Sequence, residues 1–543
     1  MKTVKGKLID IIEKRIYNAE ISIDKGRIVS KRKIREEQSH YILPGFIDSH
    51  VHIESSMLNP SEFSRLAIKH GTVATVSDPH EIANVSGMEG VYYMINEAKN
   101  TPVKLHFTAP SCVPATPFET SGHIISAEDT RKLLMEDKVV ALGEMMNFPG
   151  VLIEDDQVTA KIKASLDLGK PVDGHAPEVT GEMADKYIAA GISTDHECAS
   201  LDEALEKINK GMYIQIREGS AAKNFNALHS LLTSHPEKCM LCTDDCHPDD
   251  LQTGHINKIA ARAIKAGHNL FDVLKASIYN AVKHYNLDVG LLQDGDPADF
   301  IMIDSIDNMD VLSVYISGEL QYDNDRVLFP SIETQTINNF LLNHHFSPSD
   351  FILRSDAERF KIIQAFDGSL LTDMFEHSLP KINGKLQPDP LSGINKICVI
   401  NRYDNKTKPA IGFIQGFSIS KGAIASTVAH DSHNIVAIGA NDESIARVVN
   451  RLIDSKGGLA LTDEDEIYHL PLPIAGLMSN ENSNLVAEAY KALNKKSTDI
   501  GCELNAPFMT MAFMALLVIP KLKIGDKGLF DVSKFELTGL EVE

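Results

Sequence analysis

The sequence predicts an α/β chain: a TIM-like (β/α)8 barrel, a flanking small β-domain built from both sides of the barrel, and an additional β-rich α+β C-terminal domain. Three observations carry this. Between about Leu43 and Asp245, short apolar runs that end in a polar residue alternate with amphipathic helical stretches. Before and after that region the chain reads as short strands separated by turn residues. Beyond about residue 335 a separate region rich in β runs begins.

Residues 1–43 hold a turn at Asp24-Lys25-Gly26-Arg27 between strand-like runs, and residues 285–334 add GLLQDGDPADFIMID (290–304). Chain ends that bracket a barrel can meet on one side, so these two flanks are expected to pair into the small β-domain. The barrel itself is expected over 44–284. Its runs are PGFIDSHVH (44–52), TVATVSD (72–78), KLHFTAPS (104–111) and KVVALGE (138–144). The second four are PVDGHA (171–176), GISTDHE (191–197), MYIQIRE (212–218) and KCMLCTDD (238–245). Stretches such as SEFSRLAIKHG, DTRKLLMED and SLDEALEKINKG lie between them with helical spacing. Eight strand–helix units of this size fit a barrel better than a doubly wound sheet, because no GxGxxG or P-loop follows any strand. Residues 335–543, with AIGFIQGFSIS and NIVAIGA, form the expected C-terminal domain.

The chain has 543 residues, 43% hydrophobic and 24% charged, as in soluble globular proteins. A net charge of −22 argues against nucleic acid as the main partner, since phosphate binding needs a clustered positive footprint. The N-terminal MKTVKGKLIDIIEKR scatters charge where a signal peptide needs an apolar run. The most apolar stretch, Pro507 to Ile519, is too short to span a bilayer and reads as buried core. A cytoplasmic protein without a membrane partner is expected, as a homo-oligomer, a dimer. Seven cysteines suggest reduced thiols rather than a disulfide framework. Cys239 and Cys242 form a CxxC, but on a strand positions three apart face opposite ways, so packing outweighs metal binding.

The ionisable residues fall at the ends of the runs, where this barrel class builds its active site. The first run ends His50-Val51-His52, two imidazoles on one face that can share a metal. The fourth ends in Glu144, the fifth in His175, the sixth in His196 and the eighth in Asp244. A lone histidine on an apolar run is most often a hydrogen-bonded core residue, so His175 or His196 alone identifies nothing. Gathering all six on one rim makes sense only around a metal or a shared proton network, because unpaired burial of such groups is costly.

HVH after PGFIDS, the strand-end Glu, His, His and Asp, and GDPADFIMID resemble the amidohydrolase superfamily. SDPHEIANV, GEMMNFPG, DGHAP, DHE, REGSAAKN and CTDDCHPDDL, with GGLALT and LPLPIAGLMS further on, resemble its adenine deaminase family. Many amidohydrolases bridge two metals with a carboxylated lysine from strand four; Glu144 stands at that place here, as in adenine deaminases. The resemblance implies two divalent ions, Mn or Fe and less favourably Zn. His50, His52, Glu144 and Asp244 would bind one, and Glu144, His175 and His196 the other. It implies hydrolytic deamination of adenine to hypoxanthine and ammonia, in purine salvage, by a metal-bridged hydroxide attacking C6. Glu144 and Asp244 are the expected catalytic groups. Asp244 is the expected proton shuttle, since Asp245 would point to the other face of a regular strand. His52-Ile53-Glu54 matches half of the small zinc-deaminase signature, but no P-C-x-x-C follows, which excludes that route.

Weaker candidates for holding the substrate are Asp78, His80 and Glu81 after strand two, Ser121 with Gly122 and His123 after strand three, and Glu218 with Ser220 after strand seven. Asn147 is a further candidate or a turn cap, and Met145 packs. His430-Asp431-Ser432-His433-Asn434 reads as a lid or turn ahead of a second metal site. The alternatives are a two-metal amidohydrolase acting on another aminopurine or a cyclic amide, and a catalytically silent nucleobase or metal sensor.

Overall fold

In a computed structural model, which describes residues 1–220 and 222–542, the chain forms two compact units. Unit 1 contains residues 1–79, 92–111 and 126–333; unit 2 contains 80–91, 112–125 and 334–543.

Unit 1 begins with an eight-stranded sheet to which both ends of the unit contribute. Its strand order is Arg326–Val327, Glu319–Asp323, Val311–Ile316, Phe300–Ile303, Tyr41–Pro44, Lys2–Asp10, Arg15–Asp24 and Arg27–Lys33. Antiparallel pairing runs through it except where Tyr41–Pro44 lies parallel to Lys2–Asp10. The hairpin at Lys25-Gly26 has both residues at positive φ, 47° and 78°, a backbone twist that matches the flanking strands. Leu8, Ala19, Ile21, Ile28, Ile42 and Phe300 form the sheet's apolar core.

The eight strand–helix units follow, with strands β1 (Phe46–Val51), β2 (Thr72–Ser77), β3 (Lys104–Ala109), β4 (Val139–Met145), β5 (Val172–Gly174), β6 (Thr194–Asp195), β7 (Tyr213–Arg217) and β8 (Cys239–Cys242). All the pairings are parallel: β1 to β5 make one sheet and β6 to β8 another. Single bridges lie at the two seams, Val172 with Ile192 and Val51 with Asp244. The structure therefore has the eight strands in the expected order but not one continuous ladder around a closed barrel. The short β5 and β6 explain the seam between them, since each offers few residues to pair. Polar residues start the intervening helices: Asn59 caps Pro60–Ala67, Ser126 closes a capping box on Ala127–Leu134, and Ser200 caps Leu201–Asn209.

Unit 2 is built on a second eight-stranded sheet. Its order is Thr372–His377, Phe360–Ala365, Ala410–Gln415, Ile394–Ile400, Ile435–Gly439, Ala423–Ser426, Gly458–Thr462 and Ile467–Pro471. Helix Asp442–Ser455, capped by Asn441, turns Ile445, Val448, Val449 and Leu452 onto Cys398, Ile400, Ala425 and Ala437. The apolar stretch near Pro507 is a short buried helix, Pro507–Ala512. All seven cysteines are buried free thiols, including the CxxC pair on β8. Among the described residues no helix is long and apolar enough to cross a membrane.

Candidate metal centre

The ends of five parallel strands bring six ligand-type side chains together in unit 1. His50 lies in β1 and His52 one residue past its end; Glu144 is in β4, while His175 and His196 directly follow β5 and β6. Asp244 comes two residues after β8. It is therefore not held by a regular strand, as the alternation argument assumed: its φ is 59°, in the left-handed region. Backbone bonds to the neighbouring strand fix it instead, Asp244 N donating to His50 O (2.9 Å) and His52 N to Asp244 O (3.1 Å).

Glu144 organises the group. Its Oε1 lies 3.2 Å from His52 Nε2 and 4.0 Å from His50 Nε2, while Asp244 Oδ1 lies 3.1 and 3.6 Å from the same nitrogens. Its Oε2 faces the other way, 2.7 Å from His175 Nδ1 and 3.2 Å from His196 Nε2. Donor atoms about 2.1 Å from one divalent ion stand roughly 3.0–3.4 Å apart, which the contacts of His52 with Glu144 and Asp244 and of His196 with Glu144 match, while those to His50 are longer. Neither ring nitrogen of the buried His50 has a hydrogen-bond partner among the described residues. An imidazole with no donor or acceptor to meet is costly, and a metal ion is the partner that removes the cost. The donor set of imidazoles and carboxylates fits Mn, Fe and Zn alike.

Outer contacts orient the inner ones. His52 Nδ1 meets the Asp78 carbonyl oxygen at 3.0 Å, which assigns the proton to Nδ1 and turns the Nε2 lone pair inward. Asp78 Oδ2 accepts from the Glu144 backbone N–H (2.9 Å), so one aspartate supports two members of the centre. Tyr187 Oη accepts from His175 N (3.0 Å) and donates to Met145 O (2.8 Å).

Two residues without an expected role stand at the same place. Arg217, the last residue of β7, forms a fork with Glu197, Nη1 to Oε1 at 2.6 Å and Nη2 to Oε2 at 2.9 Å. The same Nη1 donates to Asp244 Oδ2. Glu197 Oε1 lies 3.5 Å from His175 Nδ1 and 3.4 Å from His196 Nε2. Strand alternation held the signal for Arg217, because the last interior position of MYIQIRE is the arginine and not the glutamate beyond it.

Charge compensation accounts for the proton affinities. Burial pushes the Glu144 carboxyl up, but His175, His196 and His52 outweigh it and hold the group well below the usual carboxylate range. Burial likewise opposes ionisation of Asp244, and Arg217 with the neighbouring imidazoles keeps it ionised. The His50 ring is pushed below the usual imidazole range, chiefly by burial and then by the His196 charge.

The remaining expected substrate groups have partners elsewhere. Glu218 pairs with Arg262 (2.5 Å), Ser220 Oγ donates to Asp250 (2.6 Å), and Asn147 caps the turn at Gly150 N (3.0 Å). In unit 2, Ser121 Oγ donates to the His123 carbonyl, and Gly122 N donates to Asn84 O (2.7 Å). Also in unit 2, His80 and Glu81 open the helix His80–Glu97, and the buried Glu81 is gripped by His430 Nδ1 (2.7 Å) and His433 Nε2. His430 to Asn434 form the turn between Ala423–Ser426 and Ile435–Gly439. The Ala429 N–H donates to His433 Nδ1 (3.1 Å), so the His433 proton sits on Nε2, where it serves Glu81 rather than a metal.

Comparison with known proteins gives the same direction along the whole chain. Residues 41–320 match the family model described as "Amidohydrolase family", and residues 369–536 match "Adenine deaminase C-terminal domain". Proteins named adenine deaminase are similar from end to end. The one from Methanosarcina mazei is 47% identical, covering 99% of each chain. Those from a Sulfurovum species and Salinibacter ruber are 48% and 46% identical, each covering 98% of both chains.

Proposed function

The chain belongs to the adenine deaminase family of amidohydrolases, and from that premise we propose that it converts adenine and water to hypoxanthine and ammonia, in purine salvage. The observation that carries this reading is Glu144, whose two oxygens each complete a different set of imidazole donors.

In this proposal His50, His52, Glu144 and Asp244 hold one divalent ion, and Glu144, His175 and His196 hold a second, Mn or Fe before Zn. When bound, such a pair lowers the pKa of a shared water, supplying hydroxide near neutral pH. Asp244 is the shuttle: it takes the proton of the water that adds to C6 and passes it to the departing amino nitrogen. Glu144 would stay anionic and belongs to both sets. Of the substrate-binding candidates, Asp78, Ser121, Asn147 and Glu218 have the partners described above. Glu81 likewise has its partners, His430 Nδ1 and His433 Nε2.

We further propose that the eight parallel strands work as one barrel over 44–284, with 1–43 plus 285–334 as the small β-domain and 335–543 as the C-terminal domain. The proposed assembly is a cytoplasmic dimer. The deciding experiment strips the metals, reloads with Mn, Fe or Zn separately, and follows adenine loss spectroscopically. Ammonia release with at least one metal is the expected result. No turnover of adenine with any of the three would remove the substrate, and turnover of another aminopurine would replace it.

A further inference from the structure

We propose that Arg217 is the positioning residue of this centre: one guanidinium fixes Asp244 and Glu197 together, and so decides which oxygen of Asp244 handles the proton. The inference rests on the reading of Asp244 as shuttle and adds what makes that shuttle work.

The geometry is specific. In β7, Gln215 and Arg217 share a face, and Gln215 Nε2 donates to Ser49 O (3.0 Å) in the interior. Arg217 is therefore aimed inward, only 7% exposed. Its planar fork meets both oxygens of Glu197, and Nη1 also serves Asp244 Oδ2. The two oxygens of Asp244 thereby become unlike. Oδ2 is taken by the guanidinium, while Oδ1 looks toward His50 and His52 at 3.6 and 3.1 Å. A free carboxylate rotates about its last torsion and would present either oxygen; this one cannot without losing the arginine. The backbone beneath it is equally determined, with a left-handed φ held by the bridge to Val51.

Lysine does not reproduce the arrangement. It is a point charge with no planar fork, so it can satisfy Glu197 or Asp244 but not align both. Glu197 has a matching part, since both of its oxygens accept from the guanidinium, whose Nη1 it shares with Asp244 Oδ2. Replacing Arg217 removes the bond that holds Asp244 Oδ2 and touches none of the recorded contacts between Glu144 and the four histidines.

The test uses the full-length, Mn-loaded protein, with metal content and melting temperature measured beside kinetics. Arg217→Lys is expected to keep the wild-type metal content and a KM within about threefold, while kcat falls by about 100-fold. Glu197→Gln is expected to lower kcat by about tenfold, and the double variant to be no slower than Arg217→Lys alone, because both act through one geometry. Three results would overturn the proposal: kcat within threefold of wild type in Arg217→Lys, loss of metal in parallel with kcat, or fully multiplicative losses in the double variant. If Arg217→Lys fails to fold, Glu197→Gln decides by the same split between kcat and KM. Wild-type turnover of adenine is measured alongside: its absence removes the deaminase reading, whereas the ratio of variant to wild type addresses Arg217.

Discussion

Asp244 and His50 touch the same part of the centre but are expected to fail differently when altered. Asp244→Asn keeps the size and one oxygen of the side chain, so most of the metal should stay while turnover drops by about 10³-fold or more. His50→Ala deletes a donor outright and should lose bound metal along with activity. Metal analysis beside steady-state rates separates the two, and near-normal rates in Asp244→Asn would withdraw its role as shuttle. Glu119 offers a residue-scale test in unit 2. Burial and the nearby Asp431 charge push its carboxyl up to about 8, while Ser432 Oγ lies at 2.7 Å. An unfolded chain would release that proton near pH 4.3. The folded protein keeps it, so the stabilisation is full below about 4.3 and drains away as pH rises toward 8. Glu119→Gln does not titrate. Its melting temperature should gain on that of the wild type between pH 5 and pH 9, and a gap independent of pH would contradict the assignment.

Strand β4 shows how an element carries a site. Gly143 precedes Glu144, and a Cβ there would stand 2.3 Å from Asp78 Oδ2 and 2.8 Å from Thr108 Oγ1. β4 is paired on both sides, to β3 and β5, and has little freedom to retreat. Gly143→Ala should cost about 1–3 kcal/mol of stability. It should also lower metal occupancy, because Asp78 supports His52 and Glu144 together; a variant that melts and binds metal like the wild type would refute this. Much at this scale was legible in the sequence. Runs of apolar residues with polar ends marked the strands, and the two-residue spacing of His50 and His52 placed both imidazoles on one side. What escaped was decided by geometry at strand ends. Reading β7 one residue too far selected Glu218, which pairs with Arg262, and passed over Arg217, which reaches the centre. Glu197 was hidden for a similar reason: β6 is two residues long, too short for alternation to say where the chain beyond His196 turns. The support from Asp78 runs partly through its backbone carbonyl, which no side-chain pattern announces.

At the scale of the whole molecule, metal loading and stability are linked. Six buried ligand groups converge in unit 1, and any ion that binds only the folded chain adds about 2.7 kcal/mol at a hundredfold excess over its Kd. Chelation should therefore lower the melting temperature, with faster amide exchange at the ends of β1, β4, β5, β6 and β8, and readdition of Mn should reverse both. An unchanged melting curve after verified metal removal would argue against a site built into the fold. Unit membership itself was not legible from the sequence, because segments 80–91 and 112–125 belong by contact to residues that come after 333. That interleaving constrains the order of folding. The histidines that grip Glu81 lie 349 and 352 residues downstream of it. At about 5–20 residues per second a ribosome needs roughly 20–70 s to deliver them. During that interval the Glu81 carboxylate lacks both of these histidines, so unit 2 finishes folding only near the end of translation, and a chain released early would leave that acid without its clamp.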